Sequence, residues 1–159
     1  MNLKDHIRSI QDYPKKGILF RDITTLIKDE KAFAATIDKI IEQSKKYKID
    51  KIAAIESRGF VFASAVSYLM RKPFILLRKK NKLPGDTYSV DFQLEYGTAT
   101  IEVHKDSINE NDSVLIIDDL IATGGTAEAA AKLVEMSKGK IAAFIFVINL
   151  FDLGGCKNL

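Results

Sequence analysis

The chain has 159 residues, of which 47% are hydrophobic and 28% charged, and a formal net charge of +3. That length and apolar content suit one globular domain with a substantial core, and so mild a positive balance favours a small anionic ligand over a nucleic-acid surface. The lone Cys156 excludes an internal disulfide and suits a reducing compartment. The N-terminal Met-Asn-Leu-Lys-Asp-His lacks a signal-peptide core, and the longest apolar run, Ile141 to Ile148, is shorter than the roughly 20 residues that span a bilayer, so a cytoplasmic protein is expected.

In chain order, residues 3–10 read as a short helix and Tyr13 to Ile23 as an extended arm broken by Pro14 and Gly17. Phe33, Ile37, Ile40 and Ile41 recur at helical spacing and predict a helix over about 30–47. Lys51 to Ile55 is a short buried strand, Gly59 to Met70 a mostly apolar helix, and Phe74 to Leu77 the next strand. Residues 79–97 form a long polar connection, in which Tyr88, Val90, Phe92 and Leu94 alternate as in a β-hairpin arm. Thr98 to Val103 and Val114 to Asp118 are strands, Thr126 to Ser137 is a helix, and Ile141 to Ile148 is a strand. Strands alternating with helices predict an α/β fold, a mostly parallel central sheet flanked by helices.

The stretch Val114 to Thr126 is the most informative. Four apolar residues lead to Asp118-Asp119, then to the loop Leu120-Ile121-Ala122-Thr123-Gly124-Gly125-Thr126, and then to a helix start. Backbone N–H groups converging at a helix N-terminus bind phosphate, glycines allow close approach, and Thr123 and Thr126 add hydroxyls. Neither a P-loop nor a dinucleotide fingerprint occurs. Carboxylates beside a phosphate cradle repel it unless they serve another part of the ligand, such as sugar hydroxyls or a hydrated divalent cation. A ribose 5-phosphate meets both needs. Glu56-Ser57-Arg58-Gly59 is a second strand-to-helix turn suited to an anion, and Arg58 can grip phosphate bidentately. Arg78, Lys79, Lys80 and Lys82 gather four cations at a strand end, where α/β sheets bind ligands, although a charge run is commonly a solvated face. His6, His104 and Cys156 show no partner spacing and read as structural or surface residues.

Asp118 to Thr126 resembles the phosphoribosyl pyrophosphate (PRPP) motif of the type I phosphoribosyltransferases. Asp12 to Thr24, Glu56 to Phe60, Arg78 to Pro84, Leu94-Glu95-Tyr96-Gly97 and Asn149 to Gly155 are similar, in order, to segments of the adenine phosphoribosyltransferase family. The resemblance implies that fold, with an N-terminal base-binding arm (1–29) and a flexible lid (79–97) on a single domain (1–159). It implies transfer of the phosphoribosyl group from PRPP to adenine, giving AMP and pyrophosphate, in a homodimer without nucleic-acid or membrane partners. By the same resemblance, Ala122, Thr123, Gly124, Gly125 and Thr126 hold the 5-phosphate, and Asp118 and Asp119 the ribose hydroxyls. Ser57, Arg58, Arg78, Lys79 and Lys82 take pyrophosphate. Leu19 and Arg21 read the base through main-chain groups beside Phe20, and Tyr96 packs near ribose or base. Glu95 manages the proton, a role that spacing alone would not give it, and Glu95, Arg58 and Arg78 are the catalytic set.

Magnesium is expected to ride on PRPP, with no direct protein ligands but with Asp118 and Asp119 nearby. The turn after Ile55 often carries a non-proline cis peptide in that family. Asn81 stands where the family usually has Gly, and Phe92 where it often has Tyr. Only Cys156 to Leu159 follow Gly155, fewer residues than the family generally has, from which lower stability or a compensating dimer contact is expected. Two other readings stay open: a phosphoribosyltransferase of different base specificity, and a catalytically weak PRPP-binding regulator.

Overall fold

The computed structural model describes residues 8–11, 19–94, 97–119 and 125–147. The chain divides into two compact units, Met1–Glu42 and Gln43–Leu159.

In the first unit, strands β1 (Arg8–Gln11) and β2 (Leu19–Asp22) pair antiparallel, with Ile10 opposite Phe20 and Ser9 opposite Arg21. The expected helix over residues 3–10 is therefore corrected for Arg8 to Ile10. So short a helix is marginal in water, whereas pairing with β2 satisfies the backbone of both strands. A one-turn helix, α1 (Thr24–Ile27), follows and was not expected. Helix α2 (Glu30–Ser44) starts where Asp29 Oδ1 accepts from the N–H groups of Lys31 and Ala32 at 3.0 and 2.9 Å, an N-cap that satisfies two otherwise unpaired donors. Ala32, Thr36, Ile37 and Ile40 are its buried positions in this unit; of the predicted face, Ile37 and Ile40 are buried while Phe33 and Ile41 are half-buried at its margin. The Thr36 hydroxyl donates to Ala32 O at 2.8 Å, which accounts for a buried polar group.

The second unit is built on a six-stranded sheet. Its strands are β3 (Lys51–Ile55), β4 (Phe74–Lys79), β5 (Thr87–Leu94), β6 (Gly97–His104), β7 (Ser113–Asp118) and β8 (Lys140–Phe146), in the order β5-β6-β4-β3-β7-β8. Strands β4, β3, β7 and β8 run parallel, while β6 is antiparallel to both β4 and β5. Helix α3 (Arg58–Met70) connects β3 to β4, and α4 (Gly125–Met136) lies between β7 and β8.

From the central pair β3 and β7 the chain crosses outward in opposite directions, to β4 on one side and β8 on the other. Because such crossovers are right-handed, they carry the two helices to opposite faces. The packing agrees. Ala129, Ala130, Leu133 and Val134 of α4 share a core with Ala53, Ile55, Ile75, Leu77, Ile101, Val103 and Ile116. Strand residues of the other parity, such as Ile52, Ala54, Leu115 and Ile117, are equally buried and serve the face on which α3 meets β3 and β7. The C-terminal ends of β3 and β7, whose chains depart in opposite senses, form a switch point, the place where open α/β sheets take ligands.

The long polar connection expected over 79–97 is shorter in the structure. Lys79 still belongs to β4, and Thr87 to Leu94 pair residue for residue with Gly97 to His104, so among the described residues of that span only 80–86 lie between elements. The alternation of Tyr88, Val90 and Phe92 accounts for this: all three lean on the α4 side of the core.

Candidate active site

Three adjacent strands, β4, β3 and β7, end side by side, and the polar residues at their tips are laced together. At the end of β7, Asp118 and Asp119 are both buried. Asp119 N–H donates to Asp118 Oδ1 at 2.8 Å, and Arg58 Nε lies 2.8 Å from Asp119 Oδ2. That approach lacks hydrogen-bond alignment, so Oδ2 is held by charge. The ion pair ties the first residue of α3 to the end of β7. Arg58 remains 43% exposed while Asp119 is 6% exposed, so the guanidinium can meet a second anion without leaving the first.

Burial is the main cause that pushes the Asp118 carboxyl well above the usual aspartate range. The neighbouring charge of Asp119 adds to it, and Arg58 offsets only part. The pair thus offers two unequal carboxyls, one that ionises less readily than an ordinary aspartate and one that faces a guanidinium.

Gly59 sets how closely these groups meet. A Cβ there would stand 3.0 Å from Asp118 Oδ1 and 3.1 Å from Ile117 O, so α3 can lie this close to β7 only because residue 59 has no side chain. Ser57 occupies the N-cap of α3 without a side-chain capping bond, and the Glu56–Ser57 peptide before it is cis.

Glu56, the last residue before that turn, reaches across to β4. Its Oε1 accepts from Lys79 N–H at 2.7 Å and from Arg78 Nε at 3.3 Å. Arg78 is held in place by a carboxylate rather than waving in solvent, whereas Lys79, Lys80 and Lys82 are exposed. Asn81, at the position where the family resemblance implies a usual Gly, has φ +68°, a left-handed conformation that Asn tolerates better than most residues.

Of the site residues expected from sequence, Ser57, Arg58, Arg78, Lys79, Asp118 and Asp119 gather at these strand ends, and Lys82 follows in the turn after β4. Gly125 and Thr126 open α4. Leu19, Phe20 and Arg21 form most of β2 in the first unit. Glu95 and Tyr96, between the paired Leu94 and Gly97, and Ala122, Thr123 and Gly124, between Asp119 and α4, lie outside the described residues, as do the segment 149–155 and the last four residues. Glu56 and Gly59 lie within the Glu56 to Phe60 motif, to which the sequence pattern attaches no role for either residue. The signal was present for Gly59, a glycine just inside a helix start, where only close packing justifies it.

Among the described residues, no three or more His, Cys, Asp or Glu side chains gather to hold a metal, and no helix is long and apolar enough to cross a membrane. The acid pair fits magnesium in one way only. Asp118 Oδ1 and Asp119 Oδ2 already have partners, so the pair suits an ion carried largely by substrate oxygens and water rather than a protein cage.

A phosphoribosyl transferase domain model matches residues 24–151, and the chain belongs to that family of transferases. Over its whole length the chain is 82% identical to the adenine phosphoribosyltransferase of Pelagibacter ubique (strain HTCC1062), covering 91% of that protein. It is 54% identical to the adenine phosphoribosyltransferase of Nitrosomonas eutropha, again over all of this chain and 91% of the relative. Among solved structures, the adenine phosphoribosyltransferase of Thermoanaerobacter pseudethanolicus superposes with a TM-score of 0.88 at 47% identity, over 91% of this chain and 84% of that one. The Saccharomyces cerevisiae enzyme, complexed with an imino-altritol bisphosphate and adenine, gives 0.89 at 34% identity over 99% and 92%. Within the family, these likenesses put the chain in the adenine phosphoribosyltransferase branch.

Proposed function

We propose that the chain transfers the 5-phosphoribosyl group of PRPP to adenine, releasing AMP and pyrophosphate. The observation that carries this reading is the buried acid pair at the switch point, with a guanidinium on one acid and a helix start following it. A vicinal diol both donates and accepts hydrogen bonds. Asp118 and Asp119 stand side by side as two acceptors at the strand end, Asp119 facing Arg58 and Asp118 the harder of the two to ionise.

The 5-phosphate would rest on the segment Ala122 to Thr126, where the start of α4 provides N–H groups and the positive end of its dipole. Pyrophosphate would lie between the start of α3, Arg58 and the β4 end with Arg78, Lys79 and Lys82. Its charge grows as the glycosidic bond breaks, so cations held there stabilise the transition state more than the ground state. Magnesium bound to PRPP oxygens would neutralise part of that charge, with Asp118 and Asp119 the nearest protein carboxyls.

Glu95 manages the proton on the base, a role that rests on the family resemblance of Leu94 to Gly97. Adenine is read by main-chain groups of Leu19 and Arg21 beside Phe20. In a strand, residues two apart aim their peptide groups along the same edge, which suits a two-point reading of an amino-substituted ring.

We also read the protein as a homodimer. Helix α3 is apolar nearly all round, and Tyr68 and Leu69 on its outer face are 68% and 56% exposed, with Val61 and Leu76 also exposed. An all-round apolar helix calls for cover on both sides.

The test is AMP formation from adenine, PRPP and magnesium, with guanine and hypoxanthine in parallel and an Asp118→Asn/Asp119→Asn double variant as control. Adenine alone should react, and the double variant should lose PRPP binding. Turnover of another purine at equal efficiency, or a double variant with unchanged PRPP affinity, refutes the reading.

A further inference from the structure

The basic turn after β4 has its backbone tied at every position. Lys79 N–H donates to Glu56 Oε1 at 2.7 Å, Lys80 N–H to Thr100 O at 3.2 Å, Asn81 N–H to Glu102 Oε1 at 2.9 Å, and Lys82 N–H to Lys79 O at 3.2 Å. The last bond closes a turn through the left-handed Asn81, a conformation that costs on the order of 1 kcal/mol and needs a restraint. Two of the four acceptors are carboxylates from other strands. Glu56 belongs to the lacing already described; Glu102 does not.

Glu102 stands on β6 between Ile101 and Val103, which face the α4 core, so its own side chain takes the other face. Strand alternation predicts a solvated glutamate there, yet it is only 9% exposed. Its Oε2 accepts from Ser89 Oγ at 2.6 Å and from Thr87 Oγ1 at 3.2 Å, both on β5. One buried carboxylate therefore holds donors from both ends of the connection 80–86. Those bonds, with the charge of Lys80, keep the carboxyl below the usual glutamate range despite its burial. A carboxylate is too costly to bury as packing material, and bonds to an ionised acceptor are the strong kind.

We infer that Glu102 is a positioning residue. Its carboxylate fixes the Lys79–Lys82 turn and thereby the direction from which the lysine ammonium groups meet the pyrophosphate of PRPP. The inference rests on the pyrophosphate reading above but concerns a residue that touches no substrate. A turn held in advance presents its charges without rearrangement as the leaving group gains charge; a loose turn must be ordered on binding.

The experiment compares Glu102→Ala, Glu102→Gln, Ser89→Ala and Lys79→Ala/Lys82→Ala by initial rates, with PRPP and adenine varied and pyrophosphate as product inhibitor. Glu102→Ala should raise the PRPP KM and the pyrophosphate inhibition constant about ten-fold while moving the adenine KM by less than about two-fold. Glu102→Gln should recover most of this, because an amide oxygen can accept from Asn81 N–H while the two hydroxyls turn to accept from the amide NH₂. Hydrogen exchange at the Asn81 amide should quicken in Glu102→Ala and not in Glu102→Gln.

If the double lysine variant leaves pyrophosphate inhibition unchanged, the pyrophosphate reading itself falls. If that variant weakens inhibition but Glu102→Ala does not, the positioning role alone is overturned. Should Glu102→Ala fail to fold, Ser89→Ala decides. A selective rise in the PRPP KM supports the role, and no change, or an equal rise for both substrates, overturns it.

Discussion

Replacing Gly59 by alanine separates two opposed expectations. Residue 59 lies in the first turn of α3, and helix propensity alone favours alanine over glycine by up to about 1 kcal/mol, less at a helix end than in its middle. The structure predicts the opposite sign. The new methyl would stand 3.0 Å from Asp118 Oδ1, 3.1 Å from Ile117 O and 3.4 Å from Asp118 Cα. Two of these three atoms belong to the backbone of a central buried strand and cannot turn aside. Overpacking of this kind costs roughly 1–3 kcal/mol, which leaves a net loss of about 1–2 kcal/mol. For a chain of this size that is a melting temperature lower by about 2–8 °C. Relief comes from moving α3 away from β7 by a few tenths of an ångström, which also displaces Asp118, and misplacements on that scale cost about three- to ten-fold in reaction rate or substrate affinity. Thermal melts and a PRPP titration of initial rates read both effects. A variant that melts at or above the parent temperature with an unchanged PRPP KM refutes the close-packing account of residue 59.

The two aspartates should respond unequally. Asp118→Asn keeps the shape of the side chain and leaves the Arg58 pair intact, so it should be the milder, whereas Asp119→Asn removes the partner of Arg58 and should weaken PRPP binding about 10–100-fold by isothermal titration. The raised Asp118 also makes a stability statement. Because the unfolded chain ionises this group first, parent stability falls as pH rises from the ordinary aspartate range through the folded value. Melts of Asp118→Asn against pH should lack that decline, leaving the variant the more stable at neutral pH; parallel curves would refute the raised value. Glu56→Ala should free Arg78 and raise the pyrophosphate inhibition constant several-fold, on the order of a lost charge-assisted bond, with the adenine KM unmoved in the same rate assays. Tyr68→Glu/Leu69→Glu should shift the sedimentation coefficient from dimer to monomer, and a parent protein that is already monomeric would dispose of the α3 interface.

Much of the second unit was legible because its strands and helices are long enough for pattern to speak. The run Val114 to Ile117 before two acids could only be a buried strand ending in a polar crevice, and β7 occupies that place. What escaped was set by partners distant in sequence. Arg8 to Ile10 carry a pattern compatible with a helix, and only the chance to pair with Leu19 to Asp22 makes them a strand. Glu102 sits in the polar register of an alternating strand, where sequence predicts solvent. The turn that covers it meets it through Asn81, 21 residues earlier, and its burial follows from that fold. Gly59 was readable in principle, yet its neighbour across the gap is Asp118, fifty-nine positions away.

The switch-point arrangement also has a practical corollary. Among the described residues of the second unit, the polar groups proposed for chemistry cluster at one pole of the parallel strands, while the turn from Asn109 to Asp112 precedes β7 at the other. The six-residue strand between them is about 17 Å long. A tether, dye or grafted peptide attached through the exposed Glu110 would therefore hang from the blind end of the barrel-less sheet, leaving the working mouth open.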